Sequence, residues 1–123
     1  MTRTFSTGSV RDSREGKGRY DLISPFAMRR LARRCEEGAK KYGDRNWEKG
    51  QNLSAIIDST QRHIDQIKMG DTSEDHPGAA FWGLMAFIHT QEMIDADVLP
   101  KELDDLPKYV KGGTNGQAPS KAE

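Results

Sequence analysis

Residues 77–94, PGAAFWGLMAFIHTQEMI, would present apolar side chains on almost every side of a helix. A helix of that kind has to be surrounded, so it belongs at the centre of a bundle. It falls short of the roughly 20 consecutive apolar residues that cross a bilayer. Two further helices are available to pack around it. Residues 25–42 open on Ser24 as N-cap with Pro25 at the first helical position, and Gly43 stops them. Met28, Leu31, Ala32, Cys35, Ala39 and Tyr42 recur there on one helical face. Residues 53–68 carry Leu53, Ile56, Ile57, Ile64 and Ile67 as a second stripe, with Gly70 as stop. Polar loops, 43–52 and 71–76, join the three, and a short fourth helix is expected over 100–110. Residues 1–24, rich in Gly, Ser, Arg and Lys, read as a partly extended arm with no convincing strand. Residues 111–123 read as a disordered tail. Short connections between three or four helices predict an all-α up-down bundle within 1–110.

At 123 residues and 13.8 kDa there is room for one domain. With 34% hydrophobic and 31% charged residues, and a mean hydropathy of −0.83, the chain is polar for a lone globule. A small domain buries only about 60–70% of its unfolded surface, so a homo-oligomer, dimer or tetramer, is expected to cover part of the helical apolar surface. The net charge is zero, yet cations crowd residues 1–50 and acids the remainder. That division suits a metal–triphosphate ligand and suits subunit pairing equally well. Cys35 is the single cysteine, which excludes an internal disulfide and a cysteine metal cluster; its helical register predicts a buried thiol. With no signal-peptide pattern and no membrane span, the chain is expected to be cytoplasmic. There is neither a His-x-x-x-His zinc pattern nor a His-Asp dipeptide, and no Ser-His-Asp or Cys-His set for covalent catalysis. Arg29, Arg30, Arg33 and Arg34 form a basic run, but without interleaved aromatics they are a weak nucleic-acid signal, and no nucleic-acid partner is expected.

Several polar groups admit two readings. At about 100° per residue, Glu36 falls at the edge of the first helix's apolar arc and can reach an interior, whereas Glu37 points the other way. Both also stand four residues before Lys40 and Lys41, as solvent-exposed ion pairs do. The loop KKYGDRNWEKG offers Lys41 and Arg45 to phosphate, with Asn46 and Trp47 beside them. A helix C-terminus with its lysines, a Gly43 stop and a core-closing Trp accounts for part of the same block. Asp58, Arg62 and Asp65 share one face of the second helix, either solvated or with a carboxylate aimed at metal. Of Glu74 and Asp75, one is expected to cap the third helix. Asp75 also lies on the side of Trp82 and His89, beside the small strip Ala79, Gly83 and Ala86. That strip leaves space for a nucleotide or permits a close helix contact. His63, His76 and His89 fall on different helices or sides and read as structural or supporting groups.

Four blocks in order, SVRDSREGKGRYDLISP, RLARRCEEGAKKYGDRNWEKG, IDSTQRHIDQ and GDTSEDHPGAAFWGLMAFIHTQEM, resemble the phage dATP/dGTP diphosphohydrolase family across roughly residues 8–93. The resemblance implies an oligomeric all-α NTP pyrophosphatase of the MazG-like type, dependent on Mg2+ or Mn2+ and acting on a purine deoxynucleoside triphosphate. Members linked to 2-aminoadenine phage DNA hydrolyse dGTP, and in some cases dATP, and the dGMP feeds aminoadenine nucleotide synthesis. MazG-type enzymes carry Glu-x-x-Glu on one helix and Glu-x-x-Asp on a later one. Here Ala39 and Lys40 stand three residues beyond Glu36 and Glu37, and Glu74 and Asp75 are adjacent. The fold carries over more firmly than the individual ligands. Glu36, Asp58 and Asp75 are the first-choice metal ligands, with Glu37 and Glu74 behind them; Glu36 and Asp75 are the expected catalytic carboxylates, and Lys17, Arg19, Lys41 and Arg45 are expected to hold phosphate. Asn46, Trp47 and Trp82 are left for sugar or base. The alternative is a non-catalytic helical adaptor that binds protein or nucleic acid through its basic first helix.

Overall fold

A computed structural model describes residues 1–111; apart from Lys111, the tail expected to be disordered lies outside them. Three helices carry the fold: α1 (Pro25–Tyr42), α2 (Leu53–Lys68) and α3 (His76–Asp95). Their starts are fixed by side chains that satisfy otherwise orphaned N–H groups. The Ser24 hydroxyl accepts from the Ala27 N–H at 3.2 Å, and the Asp75 carboxylate accepts from the Gly78 N–H at 3.0 Å. The first turn of α2 is served from far along the chain. Asp105 accepts from the Ser54 N–H at 2.9 Å, the Ser54 hydroxyl at 2.5 Å and the Asn52 amide at 3.0 Å.

The main contact is between α2 and α3, and α1 lies against α3. Leu53 meets Ile94 at one end of the α2–α3 pair, and His63 meets His76 at the other, so the two helices run antiparallel. Between these ends α2 closes on α3 at Gly83, where an added Cβ would collide with the Thr60 hydroxyl. The core is the cluster Leu53, Ile56 and Ile94, with Phe87, Leu99, Leu103 and Leu106 packed over it. Gly50 lies under that lid with φ of +110°, and a Cβ there would come within 2.9 Å of Leu103. Among the described residues no helix is long and apolar enough to cross a membrane.

Three expectations are corrected. Thr2–Thr4 (β1) and Val10–Asp12 (β2) form an antiparallel hairpin, with Thr2 opposite Asp12. Strands of three residues, exposed almost throughout, bury no face, so no period-two alternation marks them. The fourth helix is replaced by one 3-10 turn, Lys101–Leu103, followed by irregular chain. Asp105 is committed to the start of α2, and Pro107 disfavours a helical residue before it. Cys35 is exposed. The covered face of α1 follows Ala27, Leu31, Arg34 and Gly38, rotated from the apolar stripe because α3 is the principal helix it meets.

Candidate functional site

The end of α1, the segment that follows it, α2 and α3 enclose a cavity of about 890 Å3. Arg34, Glu37 and Lys41 line it from α1, and Asp44, Arg45, Asn46, Trp47 and Glu48 line it from the connecting segment. On the helical side, Ser59, Thr60 and His63 of α2 face Ala79, Trp82 and Gly83 of α3. The volume lies within the roughly 300–1,000 Å3 of small-molecule sites. The wall combines guanidinium and ammonium groups, carboxylates, two indoles and the amides of Asn46 and Gln51.

A tight local structure builds the loop wall. Gly43 leaves α1 with φ of 95°. Arg45 adopts the left-handed conformation, φ 58°, ahead of a 3-10 turn over Asn46–Lys49. A non-glycine residue in that conformation is uncommon and has to be held by its surroundings. Arg45 Nη1 donates to Glu48 Oε2 at 2.9 Å. The other Glu48 oxygen lies 3.6 Å from His89 Nε2, and the Glu48 side chain is 24% exposed. Trp47 sits edge-on to Trp82, with ring centroids 5.8 Å apart, and edge-on to His89 at 4.8 Å.

Of the residues assigned to metal, phosphate, sugar or base, Glu37, Lys41, Arg45, Asn46, Trp47 and Trp82 come together around this cavity. The other residues so assigned do not. Glu36 lies outside the lining and pairs with Lys40 at 3.4 Å, so the two glutamates are placed in the reverse of the helical-wheel reading. The cavity takes in the Arg34–Glu37–Lys41 side of α1 together with Cys35, Ala39 and Tyr42, the C-terminal part of its apolar stripe. Asp58 is exposed on the outer face of α2 and paired with Arg62. Asp75 caps α3 and takes both guanidinium arms of Arg30, which holds its carboxyl down at about 2. Lys17 lies by the hairpin with Thr2, Arg11 and Asp12. Arg19 donates twice to Asp21, each at 2.9 Å. In the basic run, Arg30 and Arg34 are engaged with Asp75, Glu37 and Glu74. Gly83 is both a cavity-lining residue and the point of close contact with α2.

Two groups were missed. Glu48 lay inside the RNWEK block, and the signal was available: it is the carboxylate three residues after Arg45, able to pair with it across one turn. The second is His63 with His76, whose Nδ1 atoms lie 2.9 Å apart. They flank the Gly70 turn almost symmetrically, and an antiparallel helix pair brings such positions side by side. Among the described residues, His63, Glu74 and His76 each offer a ligand atom within 4.8 Å of the others, a set able to hold a metal ion. Burial pushes His63 below the usual imidazole range. The hydrogen bond from His76, with a second from Ser73, pulls Asp71 below the usual carboxylate range.

A family model described as dATP/dGTP diphosphohydrolase, N-terminal, matches residues 7–98. No curated protein and no solved structure matches the chain.

Proposed function

The chain belongs to the dATP/dGTP diphosphohydrolase family, and from that premise we propose that it hydrolyses a purine deoxynucleoside triphosphate, dGTP ahead of dATP, to the monophosphate and pyrophosphate. One water is consumed, the phosphoanhydride between the α and β phosphates breaks, and the pyrophosphate leaves with the bridging oxygen. The observation that carries this reading is the convergence of Lys41 and Arg45, Glu37 and Glu48, and Trp47 and Trp82 around one cavity of nucleotide size.

Each group has a task there. Lys41 and Arg45 supply positive charge to the triphosphate, where preorganised cations stabilise charge that builds up during cleavage. Trp47 and Trp82 give the base an aromatic wall, and the Asn46 amide offers a donor and an acceptor to sugar or base. Mg2+ or Mn2+ in such sites is held by one or two carboxylates and completed by substrate phosphates. Glu37 and Glu48, both oxygen donors in the cavity lining, fit that donor set. A bound ion would neutralise phosphate charge and acidify a water. Glu48 is engaged by Arg45 before substrate arrives; phosphate competing for the guanidinium would free the carboxylate oxygens. Glu37 and Glu48 thus take the part first given to Glu36, Asp58 and Asp75, which lie outside the cavity lining. On the family resemblance, the dGMP product would serve 2-aminoadenine nucleotide synthesis in a phage-infected cytoplasm.

The test is pyrophosphate release from each dNTP with Mg2+ or Mn2+, with and without EDTA. Release from dGTP and dATP that EDTA abolishes is expected, with far less from dCTP and dTTP. Glu37→Gln and Glu48→Gln should each lower kcat on the order of 100-fold at unchanged helicity, while Glu36→Gln stays within a few-fold. If Glu36→Gln alone removes turnover, the metal-holding part returns to Glu36. If no dNTP yields pyrophosphate, the hydrolase reading fails.

A further inference from the structure

The turn between α2 and α3 assembles side chains that the cavity chemistry does not use. His63 Nδ1 lies 2.9 Å from His76 Nδ1 and 4.0 Å from Glu74 Oε1. His76 is only 4% exposed, His63 is partly buried and Glu74 is exposed. The cluster therefore has a closed floor and an open mouth. His63 also lines the cavity, as does Arg34, which reaches Glu74 at 3.4 Å.

The tautomers follow from Asp71. Its carboxylate accepts from His76 Nε2 at 2.5 Å and from the Ser73 hydroxyl at 2.8 Å. An ionised carboxylate only accepts, so His76 Nε2 carries the hydrogen, and in the neutral ring Nδ1 is a bare lone pair. That lone pair faces His63 Nδ1, whose N–H donates across the gap. An imidazole oriented by a carboxylate on one nitrogen, with the other nitrogen free, is the arrangement that prepares a histidine for a metal. Two ring nitrogens 2.9 Å apart subtend roughly a right angle at an ion about 2.1 Å from each, and a separation wider by about half an ångström gives the tetrahedral angle of zinc.

We propose that His63, Glu74 and His76 bind one divalent transition-metal ion through the two Nδ1 atoms and a Glu74 oxygen, with Asp71 as the positioning residue for His76. His63 then moves its hydrogen to Nε2, and the ion replaces the long Arg34 contact to Glu74. Two imidazoles and one carboxylate favour Zn2+, and more weakly Mn2+, over the oxygen-seeking Mg2+. Coordination positions not filled by protein stay open to water, on the side that adjoins the cavity. The site stands on its own geometry and does not depend on the hydrolase reading.

Calorimetric titration of the chelator-stripped full chain with ZnCl2 alone, near neutral pH and without nucleotide, tests it. One saturable site per chain is expected, with no saturable heat from Mg2+ alone. His63→Ala and Glu74→Gln should weaken zinc binding at least tenfold, Asp71→Asn about 10- to 100-fold, and His89→Ala should leave it unchanged. His63 and Glu74 are chosen because His76 is buried and its loss threatens the fold; circular dichroism verifies that helicity is kept. Absence of saturable zinc binding in the wild-type chain, or binding that survives His63→Ala intact, overturns the proposal. Since no nucleotide is present, neither outcome bears on dNTP hydrolysis.

Discussion

Asp75 spends one carboxylate on two jobs, and its acidity records both. It accepts from the Gly78 N–H to start α3 and holds Arg30 of α1, and chiefly the Arg30 hydrogen bond lowers its pKa to about 2. Asp105 is lowered to about 2 as well, first by the Ser54 hydroxyl and then by the Ser54 N–H. An unfolded aspartate titrates near 3.9, so both folded values are depressed. Their contribution is therefore complete above about pH 4 and is lost as pH falls through about 2. Urea unfolding followed by circular dichroism across that window should show wild-type stability falling steadily. Asp75→Asn and Asp105→Asn should each flatten the fall. Asparagine still caps a helix, so at neutral pH Asp75→Asn loses mainly the hold on Arg30. A pH profile unchanged in Asp75→Asn would mean that the α1–α3 clamp does not form in solution. The cavity residues were partly legible in the sequence because Lys41, Arg45, Asn46 and Trp47 share one short block that folds on itself. Glu37 and Glu48 were harder to read, since which carboxylate faces inward depends on where α3 lies rather than on local periodicity.

At the level of elements, the α2–α3 contact is set by one glycine. Thr60 is buried and its hydroxyl already donates to the Ile56 carbonyl at 2.7 Å, so it cannot rotate away without breaking that bond. A methyl group at Gly83 drives into this hydroxyl. Gly83→Ala should therefore destabilise by about 1–3 kcal/mol, the usual cost of overpacking. Gly38 on α1 is the contrast: its Cβ would meet nothing within 4 Å. Gly38→Ala should stabilise by about 0.5–1 kcal/mol through helix propensity and the restricted unfolded chain. Urea midpoints moving in opposite directions would support this packing, and equal shifts would refute it. Helix positions were legible because their signals are local: Ser24 and Pro25 at the head of α1, Gly43 behind it, and the isoleucine stripe of α2. What was not legible is non-local. Asp105 reaches α2 across 51 residues, a contact no window of sequence reveals, and it turns the expected fourth helix into an irregular lid.

Among the described residues, the three helices leave apolar surface without a neighbour. On α3, Phe81, Leu84 and Ile88 form a stripe directed away from the covered face, with Leu84 46% and Ile88 58% exposed. Met28 and Tyr42 on α1, and Ile64 and Ile67 on α2, are uncovered too. A helix apolar nearly all round, as α3 is, has to be enclosed on more than the sides that α1 and α2 supply. The remaining partner best matched in chemistry is a second copy. Its apolar stripe is identical by construction, and the basic first half and acidic second half of the chain complement each other between copies. Association through α3 would also protect an apolar patch of the kind that otherwise promotes aggregation. Light scattering coupled to size exclusion should give a mass that is a multiple of the 13.8 kDa chain, dimer or tetramer. Leu84→Glu with Ile88→Glu should return the chain to monomer with its helicity retained. Neither residue belongs to the cavity lining, so a monomeric variant that still binds nucleotide would separate assembly from substrate recognition. A monomeric variant that loses nucleotide binding would mean the second copy completes the site. A wild-type chain that stays monomeric at tens of micromolar would leave the α3 stripe unpaired, and the enclosure reasoning would fail with it.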